Sequence, residues 1–430
     1  MAQNLGEQPT APVAESTAGV YDRSVANGHY ILDTGGLSGK HDNVRRYWED
    51  DLTRQFLRPM LRRALARHYW GAAERLRIFD LGCGSGQGYE LITSVRARDA
   101  GIYQHSAELL PRHAIARYVG CDLSEGMVQQ ARQIYGEGGK FDFRTGDFGV
   151  GLPVRPEDAP FHLYFSSYGS LSHIDTRSLI SLLQEIGAHA ESGACVVLDL
   201  LGRYSYEWPC YWGRRATDED DMWDYSMSYL PGESPESSDC WHMRYWTSEE
   251  VAGAVEQACI PGEFELRLLD TFDRSLLVGR HIDTCQYNPQ APRLRSAVNR
   301  LHESNVRTDL AELLFDYCPH PTEQGANVVL ERLAVAWNGL VHFCMDKLSS
   351  PDGGADHLTQ LDAMPPALRQ SIITMNRVID NVGWMEMGDP RANIIEPQLG
   401  YALRRLEQSM QPGEGFGHGL LVGIEVVKST

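Results

Sequence analysis

The chain has 430 residues, of which 42% are hydrophobic and 23% charged, and its net charge is -19. This suits a soluble globular protein of two or three domains with a substantial core. The negative balance repels phosphate backbones, so it argues against sequence-independent nucleic-acid binding, and it keeps the protein soluble. Nine cysteines are scattered without a C-x-x-C pair. An odd count without such pairs disfavours a disulfide framework and a thiolate zinc site. The first twenty residues lack the basic patch and apolar centre of a secretory signal, and no apolar run approaches the roughly 18 residues of a membrane helix. A cytoplasmic location away from membranes is expected.

In chain order, residues 1–18 are small, polar and proline-containing, the composition of a disordered tail. Residues 19–70 form an N-terminal helical cap, in which Val44, Trp48, Leu52, Phe56, Met60 and Leu61 recur near helical spacing. Residues 71–285 alternate strand-like and helix-like runs. Strands are expected in "LRIFDLG", "ARYVGCDLS", "KFDFRTGDF", "FHLYFSSYGSL" and "ACVVLDLLG", and two more in "FELRLLDTFDRSLLVGRHI", with a turn near Asp273. Such alternation predicts an α/β fold, a doubly wound, Rossmann-like seven-stranded sheet with helices on both faces. Two insertions interrupt it, at 94–116 and at 203–243. The second is crowded with aromatics and predicts a lid. Residues 286–430 are mainly helical and end in an apolar β-branched run, "GHGLLVGIEVVK", expected to return to the sheet edge beside "SLLVGRHI". The helices before it are then a subdomain appended to the sheet or inserted into it.

The stretch "RIFDLGCGSGQGYELI" places an acid, Asp80, at the end of the first strand, followed by Gly82, Gly84, Gly86 and Gly88. A strand, a glycine turn and a helix N-terminus together make a nucleotide-type site. The spacing departs from G-x-G-x-x-G, because Gln87 stands in the register of the third glycine. A plain tight turn would also explain the glycines. The next two strand ends narrow the choice. Asp122 ends the second strand, where a carboxylate accepts both hydroxyls of a ribose. Asp147 ends the third and is followed by Phe148, an acid for an adenine amino group and a ring to cover its face. Each acid alone is as well read as a cap or turn residue; the three together point to one ligand.

On these motifs, residues 75–280 resemble the class I S-adenosylmethionine-dependent methyltransferases. The resemblance implies S-adenosylmethionine as cofactor. Asp80 and the turn Gly82–Gly84–Gly86 would hold its amino-acid end, Asp122 its ribose, and Leu123, Met127, Asp147 and Phe148 its adenine. "SSYGSLSHI", with Ser166, occupies the stretch that faces the transferring methyl. "MRYWTSEEV" is similar to the family's segment before its last large helix. The resemblance does not extend to the C-terminal helical part.

Methyl transfer is an in-line displacement, so the protein must align the acceptor, exclude water and, where needed, take a proton. His173, just after the fourth strand, is the expected catalytic base, with a helix-capping role as the alternative. Tyr168 is the second expected catalytic residue. Asp199 is read equally as structural, and His242 more readily as a surface or packing residue than as a functional one. The aromatics of 203–243 suit a sugar, an aromatic ring or a cation, and equally an ordinary cluster beneath a loop. The interleaved acids Asp218, Glu219, Asp220, Asp221 and Asp224 read as a solvated face or, alternatively, as attracting an amine. His29, Tyr30, His41, Tyr47 and Trp48 are further candidates to close the pocket. No catalytic metal is expected, since zinc spacings and a carboxylate cluster at the fourth strand are missing. The expected activity is methyl transfer to an oxygen or nitrogen of a small polar metabolite or natural-product intermediate. The alternatives are methylation of an RNA cap, resembling the guanine-N7 enzymes, and a catalytically inactive cofactor-binding scaffold. A homo-oligomer is possible on the helical region.

Overall fold

The computed structural model describes residues 16–28, 30, 41–68, 76–98, 106–217, 220–227, 239–350, 353–385 and 387–429. Helix α1 (Thr17–Ala26) starts inside the stretch expected to be a tail; Ser16 caps it by accepting from the Gly19 amide. The remainder of that expected tail, 1–15, lies outside the described residues. Helix α2 (Asp50–His68) follows one π-helical turn, Arg45–Glu49. Then come β1 (Leu76–Leu81), α3 (Gln87–Thr93), β2 (Ile115–Asp122), α4 (Glu125–Tyr135), β3 (Phe141–Thr145), β4 (Leu163–Phe165), α5 (Thr176–His189) and β5 (Cys195–Gly202). Caps account for the helix starts. Ser124 accepts from Met127 at α4, and Asp175 accepts from Ser178 at α5. Helix α5 turns Leu179, Leu182, Leu183 and Ile186 into the core at helical spacing.

The insertion after β5 carries a two-stranded antiparallel hairpin, β6 (Trp223–Met227) with β7 (Asp239–Met243). Next are β8 (Tyr245–Trp246), α6 (Ser248–Gln257) and β9 (Phe264–Arg274). Helix α6 starts with a reciprocal capping box between Thr247 and Glu250. No strand forms at 275–282, where a seventh was expected. The chain instead enters α7 (Leu294–Leu301), α8 (Gln324–Ser349), α9 (Ala355–Thr359), α10 (Pro366–Asn381) and α11 (Glu396–Met410), and closes with β10 (Gly419–Lys428).

The strand order is β3-β2-β1-β4-β5-β10-β9, with β8 also paired to β5. Strands β1 to β5 are mutually parallel, and β10 runs antiparallel to both β5 and β9. The last strand therefore does not sit at an edge beside 275–282. It is wedged between β5 and β9, with Gly419–Glu425 paired to Leu201–Cys195. Its residues Leu420, Val422, Ile424 and Val426 share one buried cluster with the helices α5 and α6, while Leu421 packs on the opposite face with α2. A strand apolar on both sides gains most where both faces are covered. The helical region 275–418 is thus an insertion between the sheet's last two strands.

Its core is α8, whose Leu330, Leu333, Trp337, Leu340 and Val341 are fully buried. Helix α8 is long and apolar enough to cross a membrane by length and composition. That run escaped the sequence reading, but α10 and α11 pack on it and Trp337 donates to the Leu313 carbonyl at 2.7 Å. The insert is bolted to the N-terminal segment by buried charges. Arg295 holds Asp42 bidentately at 2.7 and 2.9 Å and Glu49 at 2.7 Å. The strand order reverses between β1 and β4, which places a crevice at the carboxyl ends of those strands.

Candidate active site

The crevice is a cleft of about 1170 Å³, its open mouth included. Its floor comes from the strand tips. Gly82 and Gly84, at φ +78° and +51°, follow β1. A side chain at Gly84 would project toward Gln87 and Met127, themselves lining residues, so glycine keeps that wall open. At the tip of β2, Asp122 accepts the Gly84 amide at 2.8 Å with one oxygen and the Ser124 amide at 2.9 Å with the other. Each oxygen retains capacity for a second donor, so the carboxylate is oriented but not saturated. Burial raises its pKa, opposed by those two amides. Leu123 and Met127 flank it. Asp147, after β3, accepts the Gly149 amide at 2.8 Å, and Phe148 lines the wall beside it.

Three residues expected at this floor do not line the cleft. Asp80 lies behind the turn, fully buried, and accepts from the Tyr118 hydroxyl with one oxygen; its other oxygen is buried without a described partner. Burial pushes its pKa up to about 7, the Tyr118 bond opposes this and the Asp122 charge adds to it. Gly86 starts α3 at φ +92°, and a side chain there would strike the Tyr135 ring. Ser166 is fully buried beneath β4, and its neighbour Ser167 takes the lining place.

Tyr168 and His173 both line the cleft. Tyr168 sits at φ +56°, an uncommon conformation for a residue with a side chain. Its amide donates to Asp199 at 2.7 Å, and Asp199 in turn accepts from Arg274 at 2.6 Å. Asp199 is thereby a structural anchor for the strained residue. The Tyr168 hydroxyl donates to Asp50 at 2.9 Å, and the Arg45 guanidinium lies 3.8 Å from its ring centroid. Burial pushes the Tyr168 phenol well above its ordinary range, so it stays protonated and cannot serve as a base near neutral pH. His173 Nε2 lies 2.9 Å from the Tyr21 hydroxyl.

Sequence reasoning did not single out Tyr21, Arg45 or Met243, which line the cleft, whereas Tyr225, also lining it, belongs to the aromatic insertion expected to form a lid. No motif marks them. Helix α1 is brought over the cleft by Asp22, whose carboxylate accepts from Ser124 Oγ at 2.5 Å and the Gly126 amide at 2.9 Å. Of the other closing candidates, Tyr30 lines the cleft. Trp48 is buried and donates to Glu407 at 2.8 Å, and Tyr47 stacks on His302. His41 is half-buried away from the lining, and His29 lies outside the described residues. The aromatic insertion supplies Tyr225 and Met243 from the hairpin, while Trp208, Trp212 and Trp223 are buried beneath it. Its acids hold the loop. Asp221 accepts the Thr176 amide at 2.8 Å, Asp220 accepts from Trp223 at 3.1 Å, and Asp224 pairs with an exposed His242 at 3.1 Å. Asp218 and Glu219 lie outside the described residues.

Residues 100–193 match the family model described as a methyltransferase domain. The match runs across β2, β3, β4 and α5, the part that carries Asp122, Asp147, Tyr168 and His173, and its family is the one that the motifs resemble. No curated protein matches the chain. Among solved structures, a S-adenosylmethionine-dependent methyltransferase from Clostridium acetobutylicum is 14% identical, with 51% of this chain and 83% of that one covered and a TM-score of 0.31. DesVI of Streptomyces venezuelae is 15% identical, covering 53% and 92%, with a TM-score of 0.30. The amino pentose methyltransferase CalS10 of Micromonospora echinaspora is 14% identical, covering 63% and 94%, with a TM-score of 0.32.

Proposed function

We propose that this methyltransferase-domain protein binds S-adenosylmethionine in the cleft and methylates an oxygen or nitrogen of a small polar molecule enclosed beneath α1 and the hairpin. The observation that carries the reading is the meeting of Asp122, Asp147, Phe148 and the Gly82–Gly84 turn with His173 in one cleft. The donor set fits the cofactor. Asp122 has one open acceptor position on each oxygen for the ribose hydroxyls. Asp80 holds a buried oxygen without a described partner behind the turn that would take the amino-acid end. Arg45, a buried cation lining the cleft, suits that end's carboxylate.

When bound, S-adenosylmethionine supplies a methyl group on a positive sulfur, activated for displacement. The chain's own residues do the rest. Asp122 and the glycine turn orient the nucleoside, α1 and the hairpin restrict water, and His173 is the base on which the proton lost by the acceptor ends. Calorimetry with S-adenosylhomocysteine, and its release from S-adenosylmethionine with a panel of hydroxylated and amino metabolites, test the reading. For a hydroxyl acceptor, His173→Ala lowers the rate about 10²–10⁴-fold. A wild-type protein that binds no S-adenosylhomocysteine refutes the proposal.

A further inference from the structure

The acceptor side of the cleft is chemically distinct from the strand tips. Asp122 and Asp147 are the acids among the described lining residues, and both sit at the tips of β2 and β3. Around His173 the wall is instead aromatic: Tyr21, Tyr30 and Tyr225 line it with Met243. Trp241 packs behind them, 5.4 Å from Tyr21, 5.7 Å from His173 and 5.9 Å from Tyr225 between ring centroids. An ammonium acceptor desolvated against this wall would need a carboxylate partner to offset the loss of water. Among its described residues this wall provides aromatic faces and the Tyr21–His173 hydroxyl–imidazole pair.

That pair joins two elements far apart in sequence. Tyr21 comes from α1, His173 from the turn after β4, and Tyr21 Oη lies 2.9 Å from His173 Nε2. The Tyr21 ring is held edge-on against His173 at 5.6 Å and against Tyr30 at 6.1 Å. Its helix is held by the Asp22 bonds to Ser124 and Gly126 at the start of α4. Two fixed partners at hydrogen-bond distance form the arrangement of an oriented acid–base couple.

Resting on the proposed methyl transfer, we infer that Tyr21 is a second catalytic residue and that the acceptor is a hydroxyl on an aromatic ring. With Nε2 unprotonated, the Tyr21 hydroxyl donates to it. The acceptor's proton passes to Tyr21 Oη as the Tyr21 proton passes to His173 Nε2, leaving an imidazolium and a neutral tyrosine. The electron pair freed on the acceptor oxygen forms the new bond to the methyl carbon, and the pair of the breaking carbon–sulfur bond stays on sulfur. A catalytic group thus comes from α1, outside the sheet that binds the nucleoside.

The test uses the full chain with S-adenosylmethionine and a panel of phenols with their matching anilines, reading S-adenosylhomocysteine release. Phenols are turned over in preference to anilines. Tyr21→Phe keeps the ring and lowers kcat about 10²–10³-fold, with KM changed less than about 3-fold. His173→Gln gives a similar loss, and the double variant loses little more, because the two act as one unit. The wild-type rate in H₂O–D₂O mixtures falls along a curve, since two protons move together, and along a straight line in Tyr21→Phe; a merely structural tyrosine would leave that shape unchanged. The inference is overturned by a Tyr21→Phe rate within about 3-fold of wild type, by losses that simply add, by anilines outrunning phenols, or by no phenol being turned over by a protein that binds S-adenosylhomocysteine. Failure of the wild type to bind S-adenosylhomocysteine is a separate result, and it removes the methyltransferase reading itself.

Discussion

The most direct probe of the proposed cofactor site is Asp122→Asn. In the wild type each Asp122 oxygen already accepts one backbone amide, from Gly84 at 2.8 Å and from Ser124 at 2.9 Å. The remaining acceptor capacity would serve the two ribose hydroxyls, one per oxygen. Asparagine replaces one oxygen with a donor, so one hydroxyl loses its acceptor and one backbone amide faces another N–H. The lost bond to a charged acceptor is worth about 1.5–3 kcal/mol. At about 1.4 kcal/mol per decade, S-adenosylhomocysteine should bind roughly 10- to 150-fold more weakly. Isothermal titration calorimetry on both proteins measures this directly. Thermal unfolding without ligand gives the separate cost of the disturbed turn. Asp122→Ala should be at least as damaging, because both hydroxyls lose their acceptor. Affinity for S-adenosylhomocysteine within about 3-fold of wild type in both variants would place the ribose elsewhere and refute the reasoning.

Two further outcomes are expected. Arg295→Met leaves Asp42 and Glu49 buried without their closest cation, and urea unfolding should show a loss of about 3–5 kcal/mol; adding Asp42→Asn should recover part of it, and a loss below about 1 kcal/mol would show that the helical insert is held by its apolar core alone. Asp80 is an acid raised to about 7, so between the ordinary carboxylate range and neutrality the folded chain binds more protons than the unfolded one at this site. Its contribution to stability is therefore full at acid pH and is lost as pH rises through about 7. A cationic ligand nearby lowers that pKa, so S-adenosylmethionine binding near pH 7 should release protons. Its apparent enthalpy should then differ between phosphate and Tris buffers, and the difference should shrink in Asp80→Asn; an unchanged difference would detach Asp80 from the ligand.

The strand tips show how far one sequence reaches. Asp122, Asp147 and the glycine turn were legible because strand, turn and helix are local events, and a parallel sheet carries successive strand ends to the same edge. The register behind the turn was not legible. Asp80 and Ser166 are fully buried and do not line the cleft, whereas Gly82 and Ser167 do, a placement set by how the loops after β1 and β4 pack. The last strand was visible as an apolar run in the sequence. Its place between β5 and β9 depends on which neighbours cover both faces, which no local pattern records.

By itself, then, the sequence determined the alternation of elements, the glycine turn and the two acids that the cleft brings together at the strand tips, since each follows from contacts a few residues apart. Only the tertiary structure decided that Tyr21 of α1 meets His173, that Arg45 and Tyr168 share one wall, and that Arg295 ties the insert to Asp42 and Glu49. Those pairs lie far apart along the chain, 152 residues for Tyr21 and His173. Their meeting depends on the packing of whole elements, where burial of apolar faces, not the spacing of the residues concerned, sets the geometry.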